Sequence, residues 1–381
     1  MKDWMREMLV LAIITIGSTI LVWLPFFLNL KSFWNIDLPN DGMAAVVRNF
    51  DGPYYIVTAK SLYQAQIIKQ FEFDEPIEYY AAHYPVYPLL IRLLGPVMSY
   101  PYAMLGITAV FSVLAVWMFY FLLRELNLKS AYWLSLVFLV LPARWMIVRS
   151  VGSPESVFIF FMLFAVWGMV KKNYWIAGIA GALTQLTKPP GLLLFAAFGL
   201  YLLWNLFKKL GNLGKVGIKD LPWRAYPLLL IPLSLVSLWM WYGSIYGSFW
   251  AYFKSGDNIH LFWPPFQMFN TAAAWVGTFW LEEIIWLLLL GTLGVVLNWK
   301  RQDVISWLTI VWYLSIVFVS HRDFSRYALP MMPFLIIAFA PMLEKKEFRY
   351  VLLLMLLPIY LYTVNFIAGN GVAISDWGRL L

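Results

Sequence analysis

Apolar runs of about twenty residues recur along this chain, and each is long enough to cross a hydrocarbon core of about 30 Å as a helix. They can be drawn over 8–28, 97–123, 131–148, 156–170, 174–186, 191–207, 225–246, 283–299, 304–320, 327–343 and 350–367. Only 13% of the residues are charged, against roughly a quarter in soluble chains. The expectation is an all-α polytopic membrane protein, a single domain over 1–381, with about eleven transmembrane helices. The fifth and sixth spans are separated by "TKPPG", where two prolines stop a helix because each lacks an N–H and clashes with the preceding turn. The 21 Trp and 22 Tyr suit the interfacial belts of a bilayer. The first span follows the weakly charged head "MKDWMREM" without a small-x-small cleavage site, so it reads as a retained anchor.

The chain has no cysteine, which excludes disulfides, iron–sulfur clusters and thiolate zinc sites. Its net charge of +8 is not gathered into a basic arm, so nucleic acid is not an expected partner. The cations instead cluster at alternate ends of the spans. Lys2, Arg6, Arg124, Lys129, Lys171, Lys172, Lys208, Lys209, Lys215, Lys219, Arg224, Lys300, Arg301, Lys345, Lys346 and Arg349 fall in short connections on one side. The positive-inside rule makes that side cytoplasmic, with the N-terminus, and sends the C-terminus outside. Two long segments then share the outer face: 31–96, and the aromatic stretch 247–282, where short helices lying in the interface are expected.

Ionisable residues within apolar spans are costly and usually mark a partner or a cavity. Here most of them gather at outer ends. Arg144, Arg149 and Glu155 lie in "LPARWMIVRSVGSPES", Lys188 in "LTKPPG", and His321, Arg322, Asp323 and Arg326 in "SHRDFSRYALPMMP". Any one of these is most simply an anchor reaching into headgroups. Taken together, cations from several connections would form a pocket for an anionic ligand, since Arg gives bidentate contact to phosphate. Asp51, in "RNFDGPYYIVTAKSLY", has two readings as well. Asp before Gly-Pro readily caps the following helix, and the same carboxylate at a helix entry can face a site.

The residues resemble the GT-C class of polytopic glycosyltransferases. Within it they are most similar to the mannosyltransferase family that adds the second mannose of glycosylphosphatidylinositol anchors, and to its prokaryotic relatives. "NFDGPYYIVTAKSLY" looks like the family's W-D-x-x-x-[YF] loop, with Phe50 in place of Trp, and "HYPVYPLLIRLL" like its F-P-x-Y-P-x-x-[IL]-R stretch. "GSPESVFIFFMLFA" resembles its Glu-Ser turn, and "GALTQLTKPPGLLL" its A-x-x-T-R-[PS]-x-G, with Lys188 in place of Arg. "GSFWAYFKSGDNIHLFWPPFQM" is similar to its aromatic outer loop and "FSRYALPMMPFLI" to its R-Y-x-L-x-x-[FY]-P.

The resemblance implies that a hexose, mannose above all, passes from a polyprenyl-phosphate donor to a lipid or glycan hydroxyl, with inversion. Asp51 is then the catalytic base. Arg326 and Lys188, followed by Arg144, Arg149 and Arg322, are expected at the donor phosphate. Tyr54, Tyr55, His83, Tyr84, Tyr87, Glu155 and Asp257 are expected to line the substrate pocket. No cofactor is expected. Asp74, Glu75, Glu78 and His83 could bind a divalent ion, but their spacing matches no ligand motif. Other readings are a flippase or transporter of a lipid-linked substrate, which calls for matching halves and mid-span polar residues, and a non-catalytic scaffold for envelope assembly. For a prokaryote the location would be the plasma membrane.

Overall fold

The computed structural model describes residues 3–213, 217–256, 260–273 and 276–381. The first helix is α1 (Asp3–Phe27), followed by a minimal antiparallel ribbon of β1 (Ser32–Phe33) and β2 (Ile36–Asp37). The first long loop then folds into α2 (Met43–Val47), α3 (Gly52–Ser61), α4 (Ala65–Ile68) and α5 (Val86–Met98). The bundle continues with α6 (Tyr100–Glu125), α7 (Ala131–Val140), α8 (Ala143–Val148), α9 (Glu155–Val170), α10 (Tyr174–Gln185), α11 (Leu192–Leu213) and α12 (Leu230–Tyr246). It closes with α13 (Thr278–Trp299), α14 (Val304–Ile316), α15 (Phe324–Tyr327), α16 (Met332–Leu343) and α17 (Lys346–Gly369).

Every apolar run falls on a helix, yet the expected eleven crossings are not all matched in length. Among the described residues, seven helical stretches are long and apolar enough to cross a membrane: Asp3–Phe27, Tyr100–Glu125, Pro189–Asn212, Trp223–Tyr246, Trp280–Trp299, Phe324–Leu343 and Lys346–Gly369. The others are shortened for local reasons. The run 131–148 is cut by Leu141-Pro142 into α7 and α8, because proline cannot donate to the helical ladder. Helix α10 has 12 residues, about 18 Å of rise, less than a bilayer core. Helix α14 ends at Ile316, short of the expected 320.

Helix α1 runs antiparallel to α6, α6 runs parallel to α9, and side-chain bonds show which ends meet. At one end the Tyr120 hydroxyl of α6 donates to Glu7 of α1, Lys171 after α9 pairs with Glu125 at 3.0 Å, and Trp133 Nε1 of α7 donates to the Leu343 carbonyl at 2.7 Å. At the other end Trp23 Nε1 of α1 donates to the Ser150 carbonyl at 2.5 Å, and the Val86 amide of α5 to the Leu186 carbonyl at 3.0 Å. Small residues allow close approach, as is usual where helices pack in lipid. At Gly178 of α10 a Cβ would stand 2.1 Å from the Pro227 carbonyl oxygen.

Two buried apolar clusters fill the interior, one among α6, α7, α9, α10, α14 and α16, the other beneath the first loop; Phe50 packs against both. In that loop α5 buries Tyr87, Pro88 and Ile91 while leaving Leu89, Leu93 and Val97 exposed. This one-sided pattern suits a helix lying in a membrane interface. In the stretch 247–282 the described residues before α13 form short 3-10 helices at Ala251–Lys254 and Gln267–Phe269 and a bridge from Leu261 to Val319, and Pro264 and Pro265 interrupt any longer helix.

Candidate active site

Asp51 stands at the entry of α3, where the cap is completed without its carboxylate. The Tyr55 amide donates to the Asp51 backbone carbonyl at 3.0 Å, the Gly52 amide to the Asn49 carbonyl at 3.1 Å, and Pro53 occupies the first turn. Proline is preorganised there because the first-turn N–H has no intrahelical partner anyway. The Asp51 side chain makes no capping hydrogen bond. The turn is drawn tightly inward, since a Cβ at Gly52 would meet the Val47 carbonyl oxygen at 2.4 Å and approach that of Gly152 at 3.4 Å. Asp51 is half-buried, and its charge is felt at Tyr55, Tyr79, His83, Lys188, Arg326 and Tyr327.

Within electrostatic reach of it lies a three-residue ion cluster built from three separate connections. Glu155, at the start of α9, accepts at Oε1 from Lys188 Nζ (2.6 Å) and from Arg326 Nε (2.7 Å), while Ser153 Oγ donates to Oε2. The glutamate side chain is 4% exposed, Arg326 15% and Lys188 25%. The carboxylate is therefore sealed in and the cations are open to a ligand. Two cations share one acid, leaving a net positive charge beside Asp51. The Arg326 guanidinium also lies over the Phe50 ring, 4.2 Å from its centroid, a cation–π contact that ties it to the residue preceding Asp51.

The remaining expected residues divide. Arg144 reaches the edge of the cluster but pairs with Asp323 at 2.8 Å, donates to Ser325 Oγ at 3.2 Å and covers Phe366 at 4.2 Å. Arg149 is not part of the pocket. It is fully buried, and its guanidinium is occupied by the Leu139 and Thr15 carbonyls and the Ser18 and Thr19 hydroxyls. It joins α8 to α1 and α7, with four of its five N–H donors used inside the bundle and its side chain closed off from the pocket by burial. Arg322 is exposed, its carbonyl accepting from Trp280 Nε1 at 3.1 Å. Asp257 lies outside the described residues. Tyr87 is also structural: it is fully buried and its hydroxyl bonds Thr108 Oγ1 at 2.7 Å. Tyr84 is buried against Tyr252 of the aromatic loop, with ring centroids 5.6 Å apart.

Tyr54, Tyr55 and His83 do form one wall near Asp51. His83 is 2% exposed and packs at 4.7 Å on Tyr55 and 5.3 Å on Tyr79. Tyr79 and Tyr327 belong to this wall and were not singled out beforehand; Tyr327 was signalled only by its place in the Arg-Tyr pair. Asp323, which holds Arg144, was marked only as one of the charges at an outer span end, and Ser153, which holds Glu155, had no sequence signal beyond being nearby in the chain. Among the described residues no three His, Asp or Glu are grouped to hold a metal ion.

Burial controls the protonation of the wall. It raises the Tyr54 phenol to about 12, helped by Glu75 and Asp51, and drives Tyr79 and Tyr80 still higher. These hydroxyls therefore remain donors. Burial also lowers His83, and lowers His321 to about 3, with His260, Arg326 and Arg322 acting in the same direction. Both imidazoles are neutral in the folded chain at pH 7, whereas an unfolded histidine takes up a proton near 6.5. Stability should therefore fall as pH drops below about 6.5, by up to about 1.4 kcal/mol per histidine per pH unit. Thermal unfolding in detergent between pH 7 and 5 checks this. His321→Asn, which retains an acceptor for the Asp323 amide that now bonds His321 Nδ1 at 3.0 Å, should flatten the slope.

The sequence model of one family, PMT, described as dolichyl-phosphate-mannose-protein mannosyltransferase, matches residues 100–253. The matched part runs from α6 into the aromatic loop and includes Arg144, Glu155 and Lys188; Asp51 and Arg326 lie outside it. No curated protein matches the chain. With its long apolar helices, the chain is an integral multi-pass membrane protein, and the match over 100–253 marks it as a mannosyltransferase dependent on a polyprenyl-phosphate mannose donor.

Proposed function

We propose that this enzyme transfers mannose to a lipid or glycan hydroxyl at the non-cytoplasmic face of the membrane, with inversion, using Asp51 as the general base. The observation that carries the reading is a carboxylate left free of its helix cap and set beside two cations that share a single glutamate. A sugar hydroxyl is a poor nucleophile, and a carboxylate within hydrogen-bond reach typically contributes about 10²–10⁴-fold. The acceptor oxygen attacks the anomeric carbon and its proton passes to Asp51. The bond from that carbon to the donor phosphate oxygen breaks, and its electron pair leaves with the phosphate. Arg326 and Lys188 hold the departing charge, and they do so most effectively because they are already fixed by Glu155 before the reaction. Arg144, paired with Asp323 next to them, adds field rather than direct contact.

We assign the outer orientation from the basic connections at the end of the bundle opposite Asp51, and read the shorter helices with the seven long ones as an eleven-crossing topology. Within the GT-C class, the motif strings favour the family that adds the second mannose of glycosylphosphatidylinositol anchors. The chain lacks cysteine, so single cysteines report topology cleanly. Ser375→Cys should react with a membrane-impermeant maleimide in intact cells and Lys171→Cys should not; the reverse labelling removes the outer assignment. For the donor site, Arg326→Ala removes charge-assisted hydrogen bonds worth about 1.5–3 kcal/mol. Affinity for a polyprenyl-phosphate mannose should fall roughly 10- to 100-fold, while acceptor binding changes little. A donor affinity equal to wild type would move the phosphate to another cation.

A further inference from the structure

The three residues before Asp51 are gripped by the far end of the chain. Asn49 is fully buried; its amide donates to the Ala45 carbonyl at 2.7 Å and to the Ile367 carbonyl near the end of α17 at 3.0 Å, and its Oδ1 accepts from Asn370 Nδ2 at 3.1 Å. The Val372 amide donates to the Arg48 carbonyl at 2.8 Å. Phe50 holds a left-handed backbone, φ +48°, which an aromatic L-residue rarely adopts. Such a conformation persists only where the surroundings over-determine it. Here they do, because the ring sits between Phe366 of α17, 5.4 Å away, and the Arg326 guanidinium.

We propose that Asn49 and Phe50, clamped by the end of α17, are positioning residues that hold the Asp51 carboxylate against the Glu155-centred cations. This rests on the base role proposed above. The Asp51 side chain has no capping bond of its own, so its direction is set by the backbone that precedes it. The backbone in turn is set by one side chain bonded on three sides and one ring wedged between two partners. Because Phe50 touches both Arg326 and the turn, the same clamp sets the distance between the base and the donor cation. Loosening it lets φ at residue 50 relax and moves the carboxylate. A misplacement of about 1 Å is enough to cost on the order of 10²-fold in rate.

The test measures steady-state transfer from a polyprenyl-phosphate mannose by the full chain in nanodiscs for Asn49→Ala, Asn370→Ala, Phe50→Ala and Phe50→Trp. The clamp predicts that kcat falls about 10²-fold in Asn49→Ala and Phe50→Ala. Asn370→Ala should fall by less, donor KM should stay within about threefold throughout, and Phe50→Trp, which restores an aromatic face for Arg326, should recover most of the rate. If Asn49→Ala does not fold, Asn370→Ala decides, since it removes only the outermost bond; an unchanged kcat there overturns the proposal. Full-rate Phe50→Ala, or donor KM rising in step with the loss of kcat, overturns it too. Asp51→Asn in parallel separates the two ideas. An active Asp51→Asn removes the base itself, whereas an inactive one beside a full-rate Phe50→Ala removes only the clamp.

Discussion

Asp51→Asn should abolish most transfer while leaving the protein folded and able to bind donor. The expected loss in kcat is roughly 10²–10⁴-fold, the usual contribution of a positioned base. The substitution preserves shape and removes only the charge. In the folded chain that charge supports no helix cap, because backbone groups complete the entry to α3. The thermal midpoint should therefore not move. Donor binding should hold or tighten slightly, since a negative charge beside Lys188 and Arg326 has gone. Were Asp51 only a cap, the pattern would invert: stability would drop by about 1 kcal/mol, as for other lost caps, and transfer would continue. Radiolabelled mannose transfer and differential scanning fluorimetry on the same preparations distinguish the two.

Glu155→Gln should have the largest effect on stability. Glu155 is nearly sealed from solvent and accepts from Lys188, Arg326 and Ser153 at once. Neutralising it leaves two cations side by side with no acid between them. Removing one partner from a fully buried ion pair costs about 3–5 kcal/mol, a ceiling here because Lys188 and Arg326 keep partial access to solvent. Expression and thermal stability should both fall steeply, and donor affinity with them. The double variant Glu155→Gln with Lys188→Met, which removes one stranded cation, should recover part of the stability without recovering transfer. That non-additivity is the signature of residues in one network. A single variant as stable as wild type would mean that Glu155 is solvated and the cluster is not a unit.

Much of this site was legible in the chain, for reasons that also mark where legibility stops. Asp51 stood out because a carboxylate before Gly-Pro is conspicuous in a sequence with so few charges. The gathering of Arg144, Glu155, Lys188 and Arg326 at one end of the bundle followed from helix lengths and the alternation of basic connections. Their pairing did not. Glu155 meets Lys188 from 33 positions away and Arg326 from 171, and nothing local encodes either contact.

Arg149 shows the converse. By residue type and position it equals Arg144, yet it turns into the bundle to bond Ser18 and Thr19 of α1, polar residues that the apolar period of the first helix conceals. The run 131–148 was legible as one span because hydropathy does not see that Pro142 breaks it. Asn49 carried no signal and Phe50 only its place before Asp51 in the resembling loop, since their partners Phe366, Ile367 and Asn370 lie more than three hundred positions downstream.

The most direct test is a structure of the enzyme in lipid nanodiscs with a non-hydrolysable polyprenyl-phosphonate mannose analogue. The phosphonate should lie at about 2.7–2.9 Å from the Arg326 and Lys188 nitrogens, the ordinary span of a charge-assisted bond. The anomeric carbon should face Asp51, with room between them for a single hydroxyl. A phosphonate bound at the opposite end of the bundle, or held at this end by other cations with Asp51 turned away from the sugar, would contradict the account.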